Sequence, residues 1–190
     1  DLEGRIDLIL DAGPTRVGVE STVLDLTTDP PQVLRPGGVP YEELKNILSL
    51  VALHPVVAAE VEIPLAQARS PGMKHRHYAP NAKVVLVEGR LAATIVKVQE
   101  LANYHMKEGE KVGILATDQT ASRYESDVVK SLGDRDNLAT AASNLFRLLR
   151  EFDEERVNII VAEGVPARGL GLAIMNRLRR ASGYNIVKAY

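Results

Sequence analysis

The chain has 190 residues, 45% of them apolar and 25% charged, a balance that argues for a globular fold and against disorder. Its 23 basic and 25 acidic residues nearly cancel, so no global field draws in nucleic acid or an anionic membrane, and any anion site must be local. It has no cysteine, hence no disulfide framework and no thiolate metal site, and no apolar run approaches the ~20 residues that span a bilayer.

The opening Asp1-Leu-Glu-Gly-Arg5 is not a signal peptide, and a strand-like run starts almost at once at Ile6. This reads as a fragment of a longer polypeptide or as a mature protein processed at this point. Arg5 to Gly13 is a short apolar run closed by Gly-Pro, and Gly18 to Leu26 is rich in β-branched residues, so both are expected to be strands. A turn at Asp29-Pro-Pro31 leads to a third short strand, Gln32 to Arg35. Pro36-Gly-Gly38 breaks the chain before a helix over Tyr41 to Leu50, with Leu44, Ile47 and Leu48 in helical register. Val51 to Arg69 shows no clean period. With the motif that follows, it forms a long connection, and connections longer than ~12–15 residues without structure are usually functional or true linkers, which marks a domain boundary.

From Lys83 the pattern changes. Continuous apolar runs at 83–87, 111–116 and 157–162 alternate with helical patterns over 92–107, 138–152 and 170–181. In the second helix Leu138, Ala141, Ala142, Leu145, Leu148, Leu149 and Phe152 mark one face. Buried strands alternating with amphipathic helices predict a Rossmann-like, three-layer α/β domain with a mainly parallel sheet. The expected organisation is residues 1–55, a β-rich piece with one helix; 56–80, a linker; and 81–190, the Rossmann-like domain.

Several residues carry candidate chemistry. Pro36 keeps Arg35 extended at a strand end, where a planar guanidinium can grip phosphate or carboxylate, although a surface Arg capping a turn fits as well. Ser21 and Thr22 lie in an apolar strand and either orient a small substrate or satisfy neighbouring backbone. The adjacent Glu20 needs a partner or solvent. Ser70-Pro-Gly-Met-Lys-His-Arg-His-Tyr-Ala-Pro80 packs two of the four histidines with a Lys, an Arg and a Tyr between prolines, a donor-rich segment suited to covering an anion. Its His75-x-His77 pair is half a metal site that no nearby Cys or acidic residue completes, so no metal site is expected. Gly169-Leu-Gly171 lacks the third glycine of a nucleotide turn, and Arg177-Leu-Arg-Arg180 ends a helix where cations complement the macrodipole. Nothing indicates direct tRNA binding, because no aromatics interleave with that basic run.

Three blocks resemble the threonylcarbamoyl-AMP synthase family. They are Gly18-Val-Glu-Ser-Thr-Val with Val33-Leu-Arg-Pro-Gly37, the Ser70–Pro80 linker, and Gly169-Leu-Gly-Leu-Ala-Ile-Met-Asn-Arg177. The family's Lys/Arg-containing nucleotide motif and Ser-x-Asn motif, which lie upstream in its members, are absent. The resemblance therefore implies the tail of a YrdC-like catalytic domain, the linker and a complete C-terminal domain, with the missing N-terminal part as a partner. It implies a cytoplasmic enzyme that joins L-threonine, bicarbonate and ATP into threonylcarbamoyl-AMP and pyrophosphate, the first step of threonylcarbamoyladenosine modification of tRNA, with Mg2+ assisting. Ser21 would contact threonine and Arg35 the ATP phosphates. Lys74, His75, Arg76, His77 and Tyr78 would form a lid. No catalytic acid or base is assigned, and this chain is expected to be inactive alone. A nucleotide-binding regulatory module with its ligand at the strand ends, and a non-catalytic scaffold of a tRNA-modification assembly, are the alternatives.

Overall fold

A computed structural model describes residues 4–13, 15, 17–58 and 79–190 of the chain. Its first part is a small three-stranded sheet. Strand β1 (Val23–Asp25) runs antiparallel to β2 (Gln32–Arg35), which pairs in parallel with β3 (Ala52–Leu53). Helix α1 (Tyr41–Ile47) lies between β2 and β3, and a single turn, α2 (Pro55–Ala58), follows.

The strand expected over Gly18 to Leu26 is confined to Val23–Asp25, and two further expectations change. The run over 5–13 is not a strand: its residues lie exposed, Leu10 at 90%, outside both sheets. A strand exists only through a ladder partner, and apolar composition cannot supply one. Helix α1 stops at Ile47 rather than Leu50, with Leu48 extended. Ile47 and Leu50 are 78% and 66% exposed, so no packing holds a last helical turn.

The second part matches its sequence pattern closely. Strands β4 (Lys83–Gly89), β5 (Val112–Ala116), β6 (Val128–Ser131), β7 (Ile159–Glu163) and β8 (Ile186–Ala189) form one sheet in the order β6-β5-β7-β4-β8, and every pairing is parallel. Helices α3 (Leu91–Lys107), α4 (Leu138–Glu154) and α5 (Leu170–Ala181) provide the crossovers. Successive strand residues point to opposite faces, which is why the strands read as unbroken apolar runs. Val85, Val87, Ile114 and Val161 pack with Val98 and Ala102 of α3. Leu86, Leu115, Ile160 and Ala162 pack with Leu145, Phe152, Ile174 and Leu178 of α4 and α5. The result is the expected three-layer α/β architecture. Edge strands β6 and β8 carry no comparable apolar run in sequence, since each is half-buried and includes a lysine.

Candidate functional site

The two candidate residues of the first part meet. Arg35, the last residue of β2, donates from Nε (3.1 Å) and Nη2 (3.0 Å) to the Ser21 carbonyl, and from Nη2 to Ser21 Oγ at 3.2 Å. The antiparallel pairing of Val23 with Arg35 brings them together, because it lays residues 20–22 alongside the end of β2. Ser21 is exposed and Arg35 half-buried, so a hydroxyl and a guanidinium face solvent side by side. Thr22 has the backbone-satisfying role. Its hydroxyl donates to the Val39 carbonyl at 2.7 Å and accepts the Val39 amide at 3.1 Å, closing the Pro-Gly-Gly loop. The lid candidates Lys74, His75, Arg76, His77 and Tyr78, with the His75-x-His77 pair, lie outside the described residues.

Glu20 finds the partner its position demanded. Its Oε2 accepts from Arg177 Nε (3.0 Å) and Nη2 (2.6 Å) of α5, while Arg177 Nη1 donates to the Pro36 carbonyl at 2.6 Å. Burial alone would raise the Glu20 carboxyl, but the charge and hydrogen bonds of Arg177 outweigh it and hold it below its ordinary value. Arg177 is only 7% exposed. Sequence reasoning missed it because a basic helix end already had a sufficient explanation in the macrodipole. The signal was present all the same: Arg177 falls in register with Leu170, Ile174 and Leu178 on the buried stripe of α5, where a charge requires a carboxylate. Arg179 of the same run is likewise engaged, forking onto Glu88 at 2.7 and 3.0 Å with Lys188 alongside.

The C-terminal strand ends offer a second region. The loops after β5 and β7 leave in opposite directions, the topological switch point where open α/β sheets take ligands. Here the space is filled from within. Glu163, fully buried, accepts from Arg135 Nη1 (2.5 Å), Thr117 (3.1 Å), Thr120 (2.6 Å) and Tyr124 (3.0 Å). Burial and the neighbouring Glu163 charge push the Tyr124 hydroxyl's pKa up, so it remains a donor. Gly171 is a packing glycine, because a Cβ there would lie 1.9 Å from the Pro166 carbonyl oxygen. A cavity of about 490 Å³ opens beside the starts of α4 and α5, with Arg135 and Arg168 offset by Glu42, Glu43 and Asp136. Glu42 itself accepts the Gly169 amide at 3.2 Å. Among the described residues no group of three His, Cys, Asp or Glu side chains is placed to hold a metal, and no helix is long and apolar enough to cross a membrane.

Comparison with known proteins decides the lineage. The family model described as threonylcarbamoyl-AMP synthase, C-terminal domain, matches residues 39–183, and one described as telomere recombination matches 1–37. The chain belongs to the threonylcarbamoyl-AMP synthase family. It is 47% identical to the Pyrococcus abyssi threonylcarbamoyl-AMP synthase and 42% identical to that of Bacillus subtilis, in each case over 99% of its own length. It covers 53% and 52% of those proteins, so it spans about half the length of its synthase relatives. In three dimensions it superposes over its whole length on the crystal structure of Pyrococcus abyssi Sua5 complexed with L-threonine, at a TM-score of 0.90 and 46% identity, covering 53% of that chain.

Proposed function

We propose that this chain is the C-terminal portion of a threonylcarbamoyl-AMP synthase: residues 1–55 the end of the catalytic domain, 56–80 the linker and lid, and 81–190 the Rossmann-like domain. The whole enzyme would join the amine of L-threonine to bicarbonate. The carbamate oxygen would then attack the α-phosphorus of ATP, breaking its bond to pyrophosphate. The observation that carries this reading is the Ser21–Arg35 pair, exposed side by side on a chain that superposes on a relative complexed with L-threonine.

In this reading the exposed Ser21 hydroxyl orients threonine, and the Arg35 guanidinium, fixed by its bonds to Ser21, faces the ATP phosphates. A guanidinium carries five N–H donors, so it can hold one edge on protein and present another to an anion. Such a fixed cation lowers the barrier as charge moves towards pyrophosphate, because it need not reorganise at the moment of reaction. Lys74, His75, Arg76, His77 and Tyr78 would close over the pocket and keep water from a carbamate and a mixed anhydride that both hydrolyse. Magnesium would enter on the ATP phosphates, since the described residues supply no carboxylate cluster for it. The product would serve tRNA modification in the cytoplasm.

The missing motifs make the test direct. Pyrophosphate release from ATP, threonine and bicarbonate should stay at background for this chain alone. It should appear when the chain is joined to the upstream half of the Pyrococcus abyssi relative. Turnover by the chain alone, or a joined enzyme whose threonine KM is unmoved by Ser21→Ala, would overturn the assignment. A nucleotide site at the strand ends is disfavoured by the Glu163 network that occupies them.

A further inference from the structure

We propose that Arg177, on the last helix of the Rossmann-like domain, is a positioning residue for the substrate site: it fastens together the two backbone segments that carry Ser21 and Arg35. The inference rests on the role proposed for that pair and gives the C-terminal domain a part in the reaction without any contact with substrate.

The geometry is that of a clamp. Nε and Nη2 of the guanidinium reach the side chain of Glu20, the neighbour of Ser21, and Nη1 reaches the carbonyl of Pro36, the neighbour of Arg35. One rigid planar group thus addresses both segments from behind, one residue away from each substrate-facing side chain. The segments also lock to each other. The Glu20 carbonyl accepts the Gly38 amide at 3.1 Å, and Gly37 lies so close that a Cβ would fall 2.2 Å from the same oxygen. Around the clamp the 18–20 segment is pressed onto the second domain. A Cβ on Gly18 would fall 2.1 Å from Ser143 Cα of α4, and Val19 packs against the core shared with α4 and α5. Because Arg177 is buried, its orientation is set by the α5 packing of Ile174 and Leu178, so the parallel sheet transmits a fixed position to the strand end. A lysine would keep the charge but could not span a carboxylate and a carbonyl on two segments.

The test uses two readouts. In the 190-residue chain, Arg177→Lys and Arg177→Leu should each speed amide hydrogen exchange at 20–24 and 35–38 by about tenfold or more, while the amides of β5 and β7 remain the slowest of the chain. In the enzyme joined to the upstream half, the same substitutions and Glu20→Gln should raise the threonine KM or lower kcat by about 10- to 100-fold, the scale set by misplacing a reacting group by ~1 Å. Unchanged exchange at 20–24 and 35–38, or an Arg177→Lys variant with parent exchange rates and parent kinetics, would overturn the proposal. If exchange responds but Ser21→Ala and Arg35→Ala leave the kinetics untouched, the clamp stands and the substrate reading of the pair falls instead.

Discussion

Glu20 and Arg177 lie 157 positions apart, yet each announced the other by sitting where a charge should not be. The carboxylate interrupts a β-branched run, and the guanidinium falls on the apolar stripe of a helix. What the sequence withheld was the pairing, since nothing local links a strand end to a helix so far along the chain. Ser21 and Arg35 are each legible as candidates, and the antiparallel register of β1 with β2 supplies the contact between them. Two expectations follow at this scale. The carboxyls of Glu20 and Glu88 are both held below their ordinary value of 4.5; in each case burial is outweighed by cationic partners. A depressed folded-state pKa stabilises above the unfolded value and is lost as pH falls through the folded one. Urea stability should therefore decline as pH drops below about 4.5, and the Glu20→Gln/Glu88→Gln double variant, weaker at neutral pH, should lose less than the parent by about pH 3. Gly18 has φ +72°, and a Cβ there would meet the α4 backbone, so Gly18→Ala should lower stability by more than the ~1–2 kcal/mol of left-handed backbone alone, read by thermal unfolding.

At the scale of elements, the parallel sheet was legible because each central strand is buried on both faces and each helix shows one apolar stripe. Edge strands β6 and β8 were not, being short and half-buried with a lysine in each. The 5–13 run failed for a different reason. Its residues are strand-like, but strand formation belongs to a pair of segments, and neither small-sheet edge takes it up. Amide exchange should reproduce this division: slowest at 84–87, 112–116 and 159–162, and fast over 5–12. Joining the chain to the upstream half of the Pyrococcus abyssi relative should slow 5–12. Exchange there that is slow in the chain alone, or that stays fast in the joined enzyme, would count against an upstream ladder partner.

For the whole molecule, the question is whether residues 17–38 and the parallel sheet act as one unit. The sheet has its own core on both faces, so residues 81–190 should fold when expressed alone. In that excised piece Arg177 loses Glu20 and Pro36 and gains water. Arg177→Leu should then change stability by no more than about 0.5 kcal/mol, as at an ordinary surface position. In the 190-residue chain the same substitution strands the Glu20 carboxylate and the Pro36 carbonyl. Removing one partner of a fully buried ion pair costs about 3–5 kcal/mol. The Glu20 side chain is 32% exposed, and water offsets part of that loss, so about 2–3 kcal/mol is expected here. Urea titrations of the four proteins, followed by circular dichroism, measure the difference directly. A cost confined to the longer chain means that the guanidinium's stabilising work is done across the boundary between the two parts. An equal cost in both would place it inside the α/β domain and remove the mechanical link between that domain and the Ser21–Arg35 pair.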